Sequence, residues 1–475
     1  MQRNARTSVM WSGIQQISIA GIQFLITIIL ARILSPSDYG LIAMLTVFFA
    51  FSQAFVDSGL SGALIQKKEI TDSDYNAVLV FSIIVSVCLY LILFLCAPLI
   101  AMLFHNELLI PITKVYMLDL IINALCMVPF ARLQRDLKFD VIAKITTTSS
   151  FLSGCLAVWM AYSGFAYWAL VVQLLFSSGL NAICYWCVAG WRPDFRFSYT
   201  SLKSMMSFGV PVMLTSVVNS IYNNIYSLII GGKYTAVDLG LYNRANSFAS
   251  FVPTNFSSFS LRALFPVFSR YQDNLQEFKE RILTTLNLSL FVVTPINVFI
   301  FFFSDDIIEV VLTEKWLPMS FFMKILSVSS LFYIATNLQY NALKSLGRTK
   351  ELFKSELTKR IIGMLIVFIT VWYGIKVMVL GLLFFSIIEF YIGSYYIKRN
   401  ANITALEQIL QGLKIFIISV LAGIIAFICS TMISNMIVKL LLSAFLYFAI
   451  YLSFSFIKKE KGLVFLLHLI NRNKM

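Results

Sequence analysis

Residues 76–103, NAVLVFSIIVSVCLYLILFLCAPLIAML, run for 28 residues without one charged side chain. A helix needs about 20 predominantly apolar residues to cross the hydrocarbon core of a bilayer, so this stretch reads as a transmembrane span. Working outward, similar stretches recur at 9–31, 39–60, 111–131, 141–162, 165–189, 204–231, 239–262, 282–303, 317–340, 358–375, 377–397, 411–431 and 434–457. Two of these are weaker, since 239–262 is rich in Ser and Asn and 317–340 contains Lys324. Losing that pair would leave twelve spans rather than about fourteen. Composition points the same way: 59% of the 475 residues are apolar and 13% are charged, against about 25% charged in soluble domains. So little polar surface could not cover a soluble core, and the expected fold is an all-α integral membrane protein. The basic N-terminal MQRNARTSVMW runs straight into an apolar stretch and reads as the first span, not a removed leader.

The net charge of +14 sits in short loops between the spans. With the N-terminus in the cytoplasm, 29 of the 37 Lys and Arg residues fall in inward-facing segments. The remainder are Arg32, Lys114, Lys233, Arg244, Lys315, Lys324, Lys376 and Lys439. This is the positive-inside pattern, which places both termini in the cytoplasm and argues against nucleic acid as a partner. The lipid bilayer is the expected surrounding. No loop is long enough for a soluble domain; the largest outer one, near 304–316, carries Asp305, Asp306, Glu309 and Glu314.

The seven cysteines all lie in apolar stretches, and the Cys184-x-x-Cys187 pair has no partner pair or nearby His, so buried thiols explain them better than metal or redox chemistry. With only His105 and His468, neither a metal site nor another cofactor is expected.

An internal repeat organises the chain. ARILSPSDYGL at 31–41 aligns with GGKYTAVDLGL at 231–241, so that Asp38-x-Gly40-Leu41 recurs as Asp238-x-Gly240-Leu241 at an offset of 200 residues. Each repeat holds six spans, an even number, so the copies share one orientation, as parallel repeats about the membrane normal do. The expected organisation is a six-helix lobe over 1–200, a second over 201–400, and a helix pair with a basic tail over 401–475.

Polar groups inside the spans are the site candidates. In the first span Ser12, Gln16, Gln23 and Thr27 share one helix face, and in the seventh Thr215, Asn219, Tyr222, Asn223 and Tyr226 form a similar stripe. In lipid such a face must meet protein or water, so it lines a cavity or hydrogen-bonds a neighbouring helix. Arg32, Lys114, Arg244 and Lys324 would supply positive field for an anionic headgroup; snorkelling to the interface is the plainer reading for Arg32 and Lys114. Asp119 and Glu389 are candidates for a coupling H+ or Na+, with a structural pair as the competing role. Asp57, beside Ser58-Gly59, fits ion coupling, gating or a helix end. Pro211, Pro253 and Pro295 would bend spans seven, eight and nine.

Six stretches carry a family resemblance: LARILSPSDYGLIAM (30–44), FVDSGLSGALIQ (55–66), ARLQRDLKF (131–139), IIGGKYTAVDLGLYNRANSF (229–248), LFPVFSRYQDN (264–274) and NALKSLGRTKELFK (341–354). With these the chain resembles the Wzx-type polysaccharide flippases of the multidrug/oligosaccharidyl-lipid/polysaccharide superfamily, nearest the branch that includes the colanic-acid exporter. The resemblance implies an alternating-access carrier, not an enzyme, in a bacterial inner membrane. Its implied substrate is an undecaprenyl-diphosphate-linked oligosaccharide, moved from the cytoplasmic to the periplasmic leaflet. Arg32 and Arg244 lie within the matching motifs and are the implied cavity cations. A polysaccharide polymerase and chain-length machinery are the implied partners. A drug exporter of the same superfamily is the nearest alternative. A membrane oligosaccharide polymerase is a second, though it would be expected to display large outer loops.

Overall fold

The computed structural model describes residues 19–194, 197–272, 274–431 and 433–458 and, of the side chains within 259–270, that of Phe268 only. Gln16 and Ser12 therefore lie outside the described residues. The described chain is helical, with no strand. Helix α1 covers Ile19–Ile33, α2 Pro36–Asp57, α3 Leu60–Gln66, α4 Asp72–Leu103, α5 Leu109–Tyr116 and α6 Asp119–Arg135. Then come α7 (Phe139–Tyr162), α8 (Trp168–Ala189), α9 (Tyr199–Lys233), α10 (Ala236–Arg270) and α11 (Leu275–Ile307). The last five are α12 (Ser320–Ser345), α13 (Thr349–Thr370), α14 (Ile375–Ala401), α15 (Ala405–Ser430) and α16 (Met436–Ile457).

Counting α2–α3 and α5–α6 as single broken rods gives fourteen. Eleven of them are long and apolar enough to cross a membrane, including Glu314–Ser345, which contains Lys324. The other three are α1, described only from Ile19, the Ser- and Asn-rich α10, and α13, whose first turns carry Lys350, Glu351, Lys354, Glu356, Lys359 and Arg360.

The repeated aspartate has a structural cause. Ser35 caps α2: its hydroxyl lies 2.7 Å from Asp38 Oδ2, which also accepts from the Ser35 amide at 2.8 Å. The Asp38 amide donates back to Ser35 Oγ at 3.3 Å. Thr235 and Asp238 repeat the arrangement at the start of α10, with distances of 2.8, 3.1 and 3.1 Å. Each is a reciprocal capping box, which satisfies amides that a helix start leaves without partners. The repeated glycine has a different cause. A Cβ on Gly40 would collide with the backbone carbonyl of Ala236, and one on Gly240 with that of Pro36. The two capped helix starts therefore meet backbone to backbone, which only glycine permits.

The chain divides into two compact units, Met1–Gly240 and Leu241–Met475, with the boundary inside α10. In the first unit α2 ends at Ser58 and Gly59, both in the left-handed region (φ 43° and 64°), and resumes as α3. A Cβ on Gly209 of α9 would lie 2.6 Å from the Ser58 carbonyl, so α9 packs tightly against this break. Leu60, Leu64, Tyr75, Val78, Met127, Trp191 and Met205 form the core beside it.

In the second unit α11, α12 and α14 enclose Phe278, Ile282, Leu286, Ile334, Leu338 and Phe390. Helices α15 and α16 are built into this unit. Phe291, Phe303, Ile415, Tyr447 and Tyr451 share a core cluster, and Tyr451 Oη donates to the Phe291 carbonyl at 2.8 Å. Gln339 Nε2 reaches Gln408 Oε1 at 2.8 Å and Ser394 Oγ at 3.0 Å, a buried polar bridge among α12, α14 and α15. Ion pairs fasten both ends: Lys279 to Glu407 at 2.6 Å, and Lys439 to Asp306 at 2.7 Å.

Candidate functional site

The polar positions of the spans fall into two groups, those whose contacts lie within the packed units and those on more exposed helix faces. Lys324 belongs to the first: its Nζ is 2.6 Å from Asp305 Oδ2. Lys114 lies with its Nζ 4.7 Å from the centre of the Phe94 ring, a cation–π contact that shelters the charge inside the first unit. Glu389 is 3.9 Å from Lys359 Nζ, which also contacts Glu356 at 3.0 Å. Lys359 is only 3% exposed, and a buried cation of this kind needs nearby carboxylates to offset its desolvation.

Asp119 opens α6 and is 1% exposed. Asn123 donates its amide to Asp119 Oδ2 at 2.8 Å and to the Asp119 carbonyl at 2.8 Å. Asp119 Oδ1 is buried without a hydrogen-bond partner, as is Thr113 Oγ1 on the preceding helix. Among the described residues no cluster of three His, Cys, Asp or Glu could hold a metal ion. Asp57 is exposed at the last position of α2, one residue before the left-handed break.

Arg32 is exposed near the end of α1, and Gln23 is exposed two turns earlier on the same helix. On α9 Asn219 is half-buried and Asn223 exposed, together with Thr215 and Pro211. Arg244 is half-buried on α10, one turn after Gly240. Thus Gln23, Arg32, Thr215 and Asn223 lie exposed on α1 and α9, whereas Asp119 is buried and Lys114, Lys324 and Glu389 are half-buried.

Sequence reading missed a second construction at the end of the first unit that carries the basic loops. Arg135 Nη1 donates to the carbonyls of Leu64 (2.9 Å) and Lys67 (2.5 Å), and its Nη2 to that of Lys68 (2.8 Å). Lys67 pairs with the buried Asp74 at 2.8 Å. Beside this clamp an aromatic ladder runs from the Arg132 guanidinium over Tyr75 (5.7 Å) to Trp191 (5.7 Å) and Trp186 (5.7 Å). The signal was in the sequence as ARLQRDLKF and as Trp186 and Trp191, but only folding brings the two segments together.

Known proteins share this architecture. The chain is 27% identical over 88% of its length, and 87% of the relative's, to the teichuronic acid biosynthesis protein TuaB of Bacillus subtilis. It is 24% identical over 64% of its length, and 63% of the relative's, to the lipopolysaccharide biosynthesis protein WzxC of Escherichia coli. Its fold is similar to that of the lipid II flippase MurJ in an inward closed conformation, with a TM-score of 0.74, 14% identity, and coverage of 95% of this chain and 98% of that one. It is also similar to an inward-facing multidrug MATE transporter, with a TM-score of 0.63, 16% identity, and coverage of 82% and 99%. The sequence pattern described as "Polysaccharide biosynthesis protein" matches residues 29–321, more than half of the chain. The chain belongs to this polysaccharide biosynthesis family, a family of membrane transporters rather than enzymes.

Proposed function

We propose that this protein carries a polyprenyl-diphosphate-linked oligosaccharide from the cytoplasmic to the outer leaflet of a bacterial inner membrane by alternating access. Family membership supports the transport of a polysaccharide precursor, and the fold it shares with a lipid II flippase supports the manner. The observation that carries the reading is the matched position of two guanidinium groups, Arg32 exposed near the end of α1 and Arg244 half-buried on α10, each beside a repeated, capped Asp-x-Gly segment. A planar guanidinium suits a diphosphate, since it donates parallel hydrogen bonds to two oxygens. Desolvating the sugars and diphosphate in hydrocarbon is prohibitive, so their path runs past the polar positions of α1 (Gln23) and α9 (Asn219, Asn223) while the tail stays in lipid. The repeats 1–200 and 201–400 act as the two lobes, and 401–475 stays with the second. Both termini are cytoplasmic, and a polymerase takes the product.

Asp119 is the favoured site for a coupling H+ or Na+, because its buried carboxylate keeps one oxygen without a hydrogen bond. Glu389 and Asp57 serve folding and gating, and Lys114 and Lys324 add positive field from their paired positions.

The test is a leaflet-sidedness assay in proteoliposomes holding a defined polyprenyl-diphosphate-linked glycan. The wild type should move the glycan to the opposite leaflet. Arg244→Ala, folded and expressed normally, should slow this by about tenfold or more, the worth of one charge-assisted hydrogen bond. Asp119→Asn should move the glycan without responding to an imposed ion gradient. An immobile glycan with wild-type protein ends the proposal. The likeness to a multidrug transporter favours drug export as the second reading, and drug efflux without glycan movement would select it.

A further inference from the structure

Helix α13 packs on α12 and α14, and its buried side is Ser355, Lys359, Gly363 and Val367, four residues apart. On the opposite side Lys350, Lys354, Leu357, Ile361, Leu365 and Phe368 are all exposed, at intervals of three or four residues. One stripe thus begins with two ammonium groups and continues with apolar side chains only. Neither lysine meets a carboxylate among the described residues. Trp372 and Tyr373, also exposed, follow its far end. A helix rises roughly 27 Å over the 18 residues from Lys354 to Trp372, close to the ~30 Å of a bilayer's hydrocarbon core. The lysines then stand at one headgroup level and the rings at the other, where such side chains anchor a span.

Further cations gather at the level of the lysines. The Lys359–Glu389 contact of 3.9 Å sets the antiparallel register of α13 and α14. Nine residues before Lys359 is Lys350, and nine after Glu389 is Lys398, so the exposed Lys398 and Arg399 come level with Lys350. Arg348 is exposed just before α13. Of the acidic side chains in the first turns of α13, Glu356 is engaged by Lys359 at 3.0 Å and Glu351 is half-buried.

This face calls for a ligand with an anionic head for the ammonium pair and hydrocarbon for the stripe. A zwitterionic lipid meets only the second demand. A glycan-bearing lipid would need polar partners beyond its phosphates, and beyond Lys354 the stripe offers none. We propose that the outer face of α13 holds an anionic glycerophospholipid, with its phosphate between Lys350 and Lys354 and an acyl chain along Leu357, Ile361 and Leu365. In the orientation proposed above, this lipid belongs to the cytoplasmic leaflet. Its binding is independent of glycan transport.

Photo-labelling of the full-length protein in lipid nanodiscs with a photoreactive phosphatidylglycerol, mapped by peptide mass spectrometry, tests this. Cross-links should fall within 349–368, and unlabelled phosphatidylglycerol should compete where phosphatidylcholine does not. Lys350→Gln combined with Lys354→Gln should cut labelling by about tenfold or more, and the corresponding pair of arginines should restore it. Lys203→Gln, at an exposed position of α9, should label as the wild type does. Thermal unfolding checks folding, and Lys350→Gln alone replaces the pair if the midpoint falls. Equal competition by phosphatidylcholine, or unchanged labelling of the glutamine variants, overturns the proposal. So does displacement of the probe by polyprenyl diphosphate at lower concentration than by phosphatidylglycerol, which would give the face to the carried substrate. With the native cysteines replaced, a disulfide between cysteines introduced at 354 and 465 would assign the face to the C-terminal segment and overturn it as well.

Discussion

Arg135 shows how one side chain can close a helix end. Its fork covers carbonyls from Leu64 to Lys68, groups that the end of α3 leaves without amide partners. A lysine has the charge but not the fork, and would reach one carbonyl at a time. Arg135→Lys should lower stability by about 2 kcal/mol, read as a reduced thermal midpoint in detergent; an unchanged midpoint would show that the clamp contributes nothing. In the sequence Arg135 was legible only as one more basic loop residue, because a charge count treats all arginines alike. Lys324 is legible in the sequence as a charge within a span, but its partner Asp305 stands 19 residues earlier, in a stretch that hydropathy reads as a loop. Folding alone brings that pair to 2.6 Å. Asp119 was legible in both respects, since Asn123 stands one turn away in the chain and takes the carboxylate in the structure.

At the scale of helices, the repeat carried more meaning than its letters. Asp38 and Asp238 matched as a motif, while the reason, a capping box with Ser35 and Thr235, needed geometry. The same holds for Gly40 and Gly240, whose demand comes from a backbone 200 residues away. Gly40→Ala pushes a methyl group into the Ala236 carbonyl, where no side chain can swing aside, and should cost about 1–3 kcal/mol. Gly232→Ala is the control: its Cβ would meet nothing within 4 Å, and alanine favours the helix. Equal thermal midpoints for the two variants would mean the crossing yields easily. The span count was legible because apolar length is a local property. α10 and α12 read weakly in the sequence, one for its Ser and Asn and the other for Lys324, because a window average cannot see what such side chains meet; α12 is nonetheless long and apolar enough to cross.

At the scale of the whole chain, basic loops alternate with poor ones, and this alternation is the basis for the proposed orientation. With the native cysteines replaced, single cysteines at 136 and 348 should react with an impermeant maleimide only in inverted vesicles, and one at 314 only in right-side-out ones. Labelling of all three from one side would refute the topology. The alternation does not reveal where the chain divides, because a boundary in compactness leaves no mark on hydropathy.

That boundary has a mechanical corollary. It lies between Gly240 and Leu241, yet α10 continues unbroken from Ala236 to Arg270. The chain thus passes from one unit to the other within a run of hydrogen-bonded helical turns, not through a slack tether. Pro253, further along the same helix and buried inside the second unit, leaves the ladder of amides one rung short, so the helix bends most readily within that unit and not at the boundary.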